Sequence, residues 1–453
     1  MFYLENKAKP SIIFVNLEIL EKMIKIDFDN LFLQDTANGV QKDDFTIKSE
    51  IIGEYLNKIH DRKQGFYKTI DNKEIIDEIN QYHEEIEGKY DDIVVLGIGG
   101  SALGTICLKQ SLKYIHEDML CSEKGPKLHV LDNIDPDLIG QIDGAIDYEK
   151  TLFIVISKSG GTVETLSQFF YFRKKFEDKN LDFTKNFVFV TDAKVGHLRE
   201  IADTEGVKSF VVPDNVGGRF SVLTSVGLLP ARLIGIDIEA LIKGAQKMRD
   251  VFLTEDFEQN LPFKIAYAQY LLAKKNKNIT VLMPYSQRLI RFADWHIQLL
   301  AESIGKAKND NGEIVNIGLT PVKALGVTDQ HSQNQLFNEG PNDKFFIFVE
   351  VLKHKNEIEI PGYGLEGLEY LEGVTFNKLM NTELKAAIYS LTQNNRPNIK
   401  ISVSEINEEI MGGLFMLFEA SIAFLGELFE INAFNQPGVE LTKKLAKDFL
   451  KNE

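Results

Sequence analysis

Cysteine is scarce in this sequence, with 2 residues among 453. Two cysteines are too few for a disulfide framework or a zinc site, so we expect reduced thiols and a cytoplasmic protein. Histidine is also sparse, with 8 residues. No histidine stands at metal-ligand spacing from another ligand, and the sequence therefore predicts no metal site.

Positive charge is in deficit, because 51 basic residues face 67 acidic ones and leave a net charge of −16. Neither nucleic acid nor an anionic membrane surface is therefore an expected partner, and an anionic substrate would need local basic residues. No uninterrupted apolar run reaches the ~20 residues that a membrane span requires. The apolar stretch 11–20 is interrupted by Asn16 and Glu18, and no cleavage pattern follows, so we do not expect a signal peptide.

What is present is an ordinary globular composition, 44% hydrophobic and 26% charged. A chain of this length exceeds the roughly 250 to 300 residues of one core, which predicts two large units. From residue 92 onward, β-rich runs alternate with helical segments, a pattern typical of an α/β fold with parallel sheets covered on both faces. The predicted strands are 93–96, 128–131, 152–156, 187–190 and 210–212 in the first unit, and 279–283 and 345–351 in the second.

The predicted boundaries follow this change of pattern. Residues 1–60 show helical periodicity around Ile19, Ile24 and 51–56, and form a helical lead-in. The first α/β unit is predicted at 61–229, the second at 230–405, and a helical segment at 406–453. That last segment contains a long apolar helix over 410–429 and an amphipathic helix that begins near Gly438.

Two of the predicted strands end in loops of Gly, Ser and Thr. Residues 94–101 read VVLGIGGS and residues 153–162 read FIVISKSGGT, and each is followed by a helix-forming segment. At the carboxyl end of a buried parallel strand, such a loop brings backbone N–H groups and the positive end of the next helix to one spot. The pair of loops predicts a phosphate site, at which Lys158 would add charge.

Three further segments carry residues suited to acid–base chemistry. Arg219 follows a predicted strand and two glycines, where a fixed guanidinium could stabilise oxyanion charge; a surface arginine after a turn is the alternative. Residues 291–306 predict a helix with Gln298 and Glu302 on one face, four residues apart. Glu302 is a candidate general base, against the alternative of a solvated glutamate. His331 in a polar loop and Lys443 near the start of the last helix are weaker candidates.

Taken together, these segments resemble the glucose-6-phosphate isomerase family from about residue 93 to residue 443, with the compact length of its shorter bacterial branch. The hallmark stretches are DNVGGRFS at 214–221 and FNQPGVELTK at 434–443. The resemblance implies two doubly wound sugar-isomerase (SIS) domains, a homodimer with shared active sites, and no metal or nucleotide cofactor. It also implies interconversion of glucose 6-phosphate and fructose 6-phosphate through a cis-enediolate, in glycolysis and gluconeogenesis.

The resemblance also assigns roles by position. Glu302 matches the glutamate that shuttles the proton between C1 and C2, and Arg219 matches the arginine that stabilises the enediolate. Lys443 matches the lysine that helps to open the sugar ring. His331 matches the ring-opening histidine that the neighbouring subunit supplies. The residues that match phosphate and sugar contacts are Gly100, Ser101, Ser157, Lys158, Ser159, Thr162, Gln298 and Gln436.

Two other classes of protein fit parts of the sequence. A nicotinamide-dependent oxidoreductase would explain GIGGSA at 97–102, but its acidic partner is expected about twenty residues on, and Asp132 lies about thirty residues on. A non-catalytic sugar-phosphate sensor would keep the phosphate loops but would not need Glu302, His331 or Lys443.

Overall fold

The computed structural model describes residues 22–113 and 125–452, and within them the strands form two five-stranded sheets and a two-stranded hairpin. The apolar stretch 11–20 and Cys121 lie outside the described residues. The strands are β1 Ile24–Asp27, β2 Asp92–Leu96, β3 Lys127–Leu131, β4 Thr151–Ser157, β5 Phe187–Thr191, β6 Lys208–Val211, β7 Ile279–Pro284, β8 Lys306–Lys308, β9 Ile314–Ile317, β10 Thr320–Lys323, β11 Lys344–Val351 and β12 Asn398–Val403. All seven predicted strands are confirmed.

The first sheet is wholly parallel, in the order β3-β2-β4-β5-β6. Strand β4 is buried along its whole length, as expected for an apolar run between two layers of helices. The chain leaves β2 toward β3 on one side, and continues from β4 toward β5 on the other. The strand order therefore reverses between β2 and β4, and in sheets of this kind a ligand-binding crevice is expected at the carboxyl ends of two such neighbours.

The second sheet has the order β1-β12-β11-β7-β10, with all pairs parallel except the antiparallel edge strand β1. The predicted helix at Ile24 is therefore wrong: Ile24 opens β1 and pairs with Val403. Apolar and charged residues alternate along IKID with a period of two, which suits an edge strand, and the exposed edge of β12 provides the partner. Ile19, which the same helix included, lies outside the described residues.

Helices surround both sheets. They are α1 Ser49–Asp61, α2 Lys73–Ile86, α3 Leu103–Leu112, α4 Pro136–Ala145, α5 Val163–Asp178, α6 His197–Glu205, α7 Ser225–Leu233, α8 Ile238–Phe252, α9 Leu261–Ala273, α10 Ile290–Ile304, α11 Asn334–Glu339, α12 Phe376–Gln393, α13 Glu408–Leu428 and α14 Glu440–Asn452. The helices predicted over 51–56, 291–306, 410–429 and after Gly438 are thus confirmed as α1, α10, α13 and α14. The domain boundaries at 60, 229 and 405 stay predictions.

Helix α13 is long and apolar enough to cross a membrane, but 94% of its most apolar stretch is buried within the protein. It packs against α8 so closely that a Cβ on Gly412 would lie 1.8 Å from the carbonyl oxygen of Leu241. A Cβ on Gly244 would lie 1.7 Å from the carbonyl oxygen of Glu409. Only glycine allows the two backbones to touch at these points, and α13 is therefore a central helix of the core.

Glu419 is a carboxylic acid in the middle of this buried helix. Its side chain is 0% exposed, and neither carboxyl oxygen has a hydrogen-bond partner among the described residues. Burial raises the pKa of Glu419 well above its ordinary value, because an unpaired carboxylate is poorly solvated there. The folded protein therefore keeps the Glu419 proton at pH values at which a solvated glutamate has already lost it.

We expect Glu419→Gln to stabilise the protein above pH 5, with a gain that grows with pH. The unfolded chain releases this proton at about pH 4.3 and the folded protein keeps it, so each further pH unit costs the wild type about 1.4 kcal/mol of stability until the folded pKa is reached. Urea unfolding of both proteins between pH 5 and 8 measures the difference. Glu427→Gln is the matched control: Glu427 is buried in the same helix but accepts a hydrogen bond of 3.0 Å from Arg62, so this change should destabilise. A difference in unfolding free energy between Glu419→Gln and the wild type that stayed constant across the pH range would contradict a raised pKa of Glu419.

Candidate active site

The loop that follows β4 is a compact cradle at the start of α5. The Ser157 and Thr162 hydroxyl oxygens lie 2.8 Å apart, and the Gly161 N–H donates to the Ser159 hydroxyl at 3.3 Å. Gly160 has a φ of +62°, a left-handed conformation that glycine adopts without strain. Thr162 is the N-cap of α5, so hydroxyls and the positive end of a helix meet here, as a phosphate site requires.

The ammonium of Lys158 braces this loop against the next one. Its Nζ donates to the carbonyl oxygens of Asp214 at 2.6 Å and Val216 at 2.9 Å. An ammonium has three N–H donors, and these contacts use two of them. Burial lowers the pKa of Lys158, an effect that Asp214 and Asp192 oppose. The side chain predicted to supply charge to a phosphate thus also joins two loops of the site.

The glycine-rich loop after β2 touches protein on two sides. A Cβ on Gly100 would lie 2.2 Å from the carbonyl oxygen of Gly218, and a Cβ on Gly99 would lie 2.9 Å from Nε2 of Gln298. Ser101 closes the short turn that these glycines begin. The glycines therefore allow the loop to pack between the 214–221 segment and α10, whereas a dinucleotide fingerprint would present them to a pyrophosphate.

Arg219 is 3% exposed and fixed from several directions. Its Nε donates to the Ser303 hydroxyl at 2.7 Å, and its Nη1 donates to Oε1 of Gln436 at 2.7 Å. Nη2 donates to the carbonyl oxygens of Ala433 and Asn435. Burial lowers the pKa of Arg219 to about 10, and Glu302 opposes the effect, so the guanidinium remains charged at neutral pH.

Glu302 stands on the last turn of α10 and faces this guanidinium. Its Oε2 lies 3.6 Å from Nη1 of Arg219, and its Oε1 accepts a hydrogen bond of 3.3 Å from Nε2 of Gln298. The opposite side of α10 is buried in the core through the four predicted contacts, Phe292, Trp295, Leu299 and Leu300. With 32% of its side chain exposed, Glu302 is held by the helix and open to a ligand.

The structure thus brings five predicted site residues together: Arg219, Gln298, Glu302, Gln436 and Gly100. The phosphate loop joins them through Lys158 and the 214–221 segment. The carboxyl ends of β2 and β4 contribute two loops, and α10, which follows β7, contributes the carboxylate. An anion cradle, a fixed cation and a partly exposed base are thus linked through direct contacts, and the strand order predicts a ligand crevice at the carboxyl ends of β2 and β4 beside them.

His331 and Lys443 are placed elsewhere in this single chain. His331 is exposed and ends the turn Thr328–His331. Lys443 lies on α14 with 64% of its side chain exposed and pairs with Glu440 at 3.0 Å. Within residues 22–113 and 125–452, no ion pair or hydrogen bond joins either side chain to Glu302 or Arg219. The contacts around Glu302 and Arg219 in this chain are therefore formed without His331 and Lys443.

Two residues that the sequence reasoning missed complete the site. Ser303 accepts the hydrogen bond from Arg219, and Lys306 donates to the carbonyl oxygens of Glu302 at 2.6 Å and Ser303 at 2.8 Å. A lysine four residues after the candidate base, just past the end of its helix, was the available signal, because lysines there bind the last carbonyls. Among the described residues, no cluster of His, Cys, Asp and Glu is arranged to hold a metal ion.

Known proteins resemble the chain over most of its length. A family model described as phosphoglucose isomerase matches residues 52–453. The glucose-6-phosphate isomerase of Carboxydothermus hydrogenoformans is 42% identical over 442 residues, 95% of either chain. A crystal structure of a hypothetical protein from Thermus thermophilus superposes with a TM-score of 0.83 and 34% identity, over 94% of this chain and 100% of that one. A glucose-6-phosphate isomerase from Chlamydia trachomatis gives a TM-score of 0.72 and 26% identity, over 84% of this chain and 73% of that one.

Proposed function

Because the chain belongs to the phosphoglucose isomerase family, we propose that this crevice interconverts glucose 6-phosphate and fructose 6-phosphate by transferring a proton between C1 and C2. The protein is an aldose–ketose isomerase of glycolysis and gluconeogenesis. The observation that carries the proposed mechanism is the 3.6 Å approach of the Glu302 carboxylate to the buried Arg219 guanidinium. A base and an oxyanion-stabilising cation at this distance suit a proton abstraction next to a carbonyl.

The substrate phosphate binds in the cradle of Ser157, Ser159 and Thr162 at the start of α5. The hydroxyl and backbone donors there bind the phosphate oxygens, and Lys158 adds a positive charge at the edge of the loop. Because the phosphate is remote from C1 and C2, its binding energy positions the sugar without taking part in the chemistry.

Glu302 carries the proton in both directions. In the open-chain aldose, its carboxylate removes the proton from C2, and the electron pair of that bond forms the C1–C2 double bond while the aldehyde oxygen becomes an oxyanion. Glu302 then returns the proton to C1, the hydroxyl proton moves from O2 to O1, and the ketone forms at C2. Nη1 of Arg219 stabilises the oxyanion charge while the enediolate exists.

Ring opening is the proposed role of Lys443 and His331, as in the family. Lys443 stands on a helix whose apolar residues Leu441, Leu445 and Phe449 are 65%, 41% and 62% exposed. A helix with such a stripe gains stability when the stripe docks against protein; Lys443, two residues from both Leu441 and Leu445, lies on the opposite face of the helix.

A homodimer accounts for His331, which the family supplies from the neighbouring subunit. The connection between β11 and α12 leaves large apolar side chains in solvent, with Tyr363, Leu365 and Tyr370 at 82%, 60% and 70% exposed. Apolar surface of this kind supports association with a second copy. A cytoplasmic location is part of the same proposal, since Cys107 is a free, buried thiol.

The competing functions are less well supported. A dinucleotide would need the backbone of the β2 loop, whose Gly100 already packs against Gly218. A non-catalytic sensor has no use for an exposed carboxylate that faces a fixed guanidinium. The isomerase is the function that uses both groups.

We expect the purified protein to convert fructose 6-phosphate to glucose 6-phosphate without any added cofactor. The sugars are separated and quantified directly, so that no coupling enzyme is needed. Incubation with NAD or NADP and either sugar should leave the absorbance at the reduced-nicotinamide band unchanged. Activity per chain should fall where dilution separates the protomers. Nicotinamide reduction without isomerisation would favour the oxidoreductase, and full activity in the separated monomer would remove His331 from the shared site.

A further inference from the structure

The end of helix α10 is held by a buried lysine that follows it. Lys306, the first residue of β8, is 7% exposed, and its Nζ lies 2.6 Å from the carbonyl oxygen of Glu302 and 2.8 Å from that of Ser303. Gly305, between the helix and the lysine, donates its N–H to the Ala301 carbonyl oxygen at 3.0 Å. The carbonyl oxygens of the last turn, which carries the base, therefore accept hydrogen bonds from the backbone and from the Lys306 side chain.

The burial of the charged Lys306 ammonium is unusual, because both of its hydrogen-bond acceptors are neutral backbone oxygens. The negative end of the α10 dipole, formed by these same carbonyls, favours a cation there. The strand that carries Lys306 is itself anchored, since Lys306 pairs with Ile317 in the hairpin of β8 and β9. An ammonium on a paired strand is a rigid support for the turn that it binds.

Ser303 connects Lys306 to Arg219 through two hydrogen bonds. The Ser303 carbonyl accepts from Lys306, and the Ser303 hydroxyl accepts from Nε of Arg219 at 2.7 Å. The base and the cation of the reaction thus depend on one turn of helix for their separation. A displacement of that turn by about 1 Å would misalign the proton transfer, which can cost about 100-fold in rate.

We propose that Lys306 is a positioning residue of the isomerase, which holds the last turn of α10 so that the Glu302 carboxylate keeps its place opposite Arg219. Lys306 acts through the backbone of Glu302 and Ser303 and does not touch the sugar. The inference rests on the proposed function and adds to it a residue that sets the geometry of the catalytic pair.

The charge state of Lys306 provides a readout that a purely structural lysine would lack. Burial and the nearby Arg219 lower the pKa of Lys306 to about 8, and Glu302 opposes them; these are the charged groups that act on it. Above pH 8 the ammonium loses its proton, and its hydrogen bonds to the two carbonyls become weaker because the donor is no longer charged. The hold on the turn should weaken, so kcat should decline on the alkaline side.

The test compares Lys306→Met, Lys306→Arg and the matched control Lys308→Met. Lys308 lies on the same strand with its side chain exposed. We expect Lys306→Met to lower kcat by about 10- to 100-fold while the KM for fructose 6-phosphate changes by less than about 3-fold, because the phosphate cradle is untouched. Lys306→Arg should restore most of kcat and move its alkaline decline upward by about one pH unit or more, since arginine keeps its charge. Lys308→Met should retain both kcat and the pH profile.

Each outcome decides the inference. An unchanged kcat in Lys306→Met overturns it, and so does an arginine variant whose alkaline decline stays at the wild-type pH. If the methionine variant fails to fold, the pH profile of the arginine variant gives the answer. An inactive wild-type protein would instead overturn the proposed function, and the two failures are thereby distinguished.

Discussion

Replacing Glu302 with glutamine is expected to lower kcat by about 10²- to 10⁴-fold, the contribution of a positioned general base. The amide keeps the shape of the side chain and its place beside Gln298, but it cannot take a proton from C2. Binding of fructose 6-phosphate should persist within a few-fold, because the phosphate cradle belongs to other loops.

Two measurements separate chemistry from binding in Glu302→Gln. The first is calorimetric titration with fructose 6-phosphate. The second is deuterium incorporation at C1 and C2 in D₂O, which should disappear together with turnover if one carboxylate carries the proton. Asp294→Asn is the matched control, since Asp294 lies on the same helix and pairs with Arg291 and Lys323 outside the crevice. Turnover within 10-fold of wild type in Glu302→Gln would assign the base to another residue.

Replacing Arg219 with methionine is expected to lower kcat by about 10²- to 10³-fold, the effect of removing one preorganised oxyanion-stabilising group. The enediolate gains charge that the substrate lacks, so the loss should fall on kcat more than on KM. Arg219→Lys should recover little of this loss, because a lysine lacks the fork of donors that binds Ser303, Gln436 and the carbonyl of Asn435 together.

The readout for Arg219 is the affinity of a five-carbon sugar-acid phosphate, which mimics the enediolate. Its dissociation constant should rise by much more than that of fructose 6-phosphate. Arg249→Met is the control: Arg249 pairs with Asp71 and Asp250 at a distance from the crevice, and its loss should leave kcat unchanged. Equal weakening of substrate and mimic would indicate that Arg219 acts only in ground-state binding.

Local pattern predicted the parts of this fold whose neighbours are close in sequence. The apolar runs that became β2, β4 and β11 were recognised because strands buried on both faces are apolar throughout. Gln298 and Glu302 were placed on one face because a helix brings residues four apart together. Strand β1 was mistaken for a helix, since its four residues carry little local signal and its partner, β12, lies more than 370 residues away.

The candidate site likewise has features that local pattern predicts and features that it does not. The loops at 97–101 and 157–162 and the position of Glu302 at the end of a helix follow from local rules. The hydrogen bonds of Lys158 to the loop at 214–216 do not, because the same lysine in solvent would leave the local pattern unchanged. Lys306 had a local signal for its hydrogen bonds, its place just past the end of α10, but none for the burial of its side chain.

By itself, the sequence determined where strands end in anion-binding loops, which face of α10 is buried, and which family the motifs resemble. Only the tertiary structure decided that β2 and β4 are neighbours at the reversal of strand order, that Arg219 is buried, and that its guanidinium meets Glu302. The reason is physical: periodicity and turn chemistry act over a few residues, whereas the burial of a charge depends on partners that packing brings from distant segments. Arg219 has such partners at residues 303 and 433–436, and no local pattern could have named them.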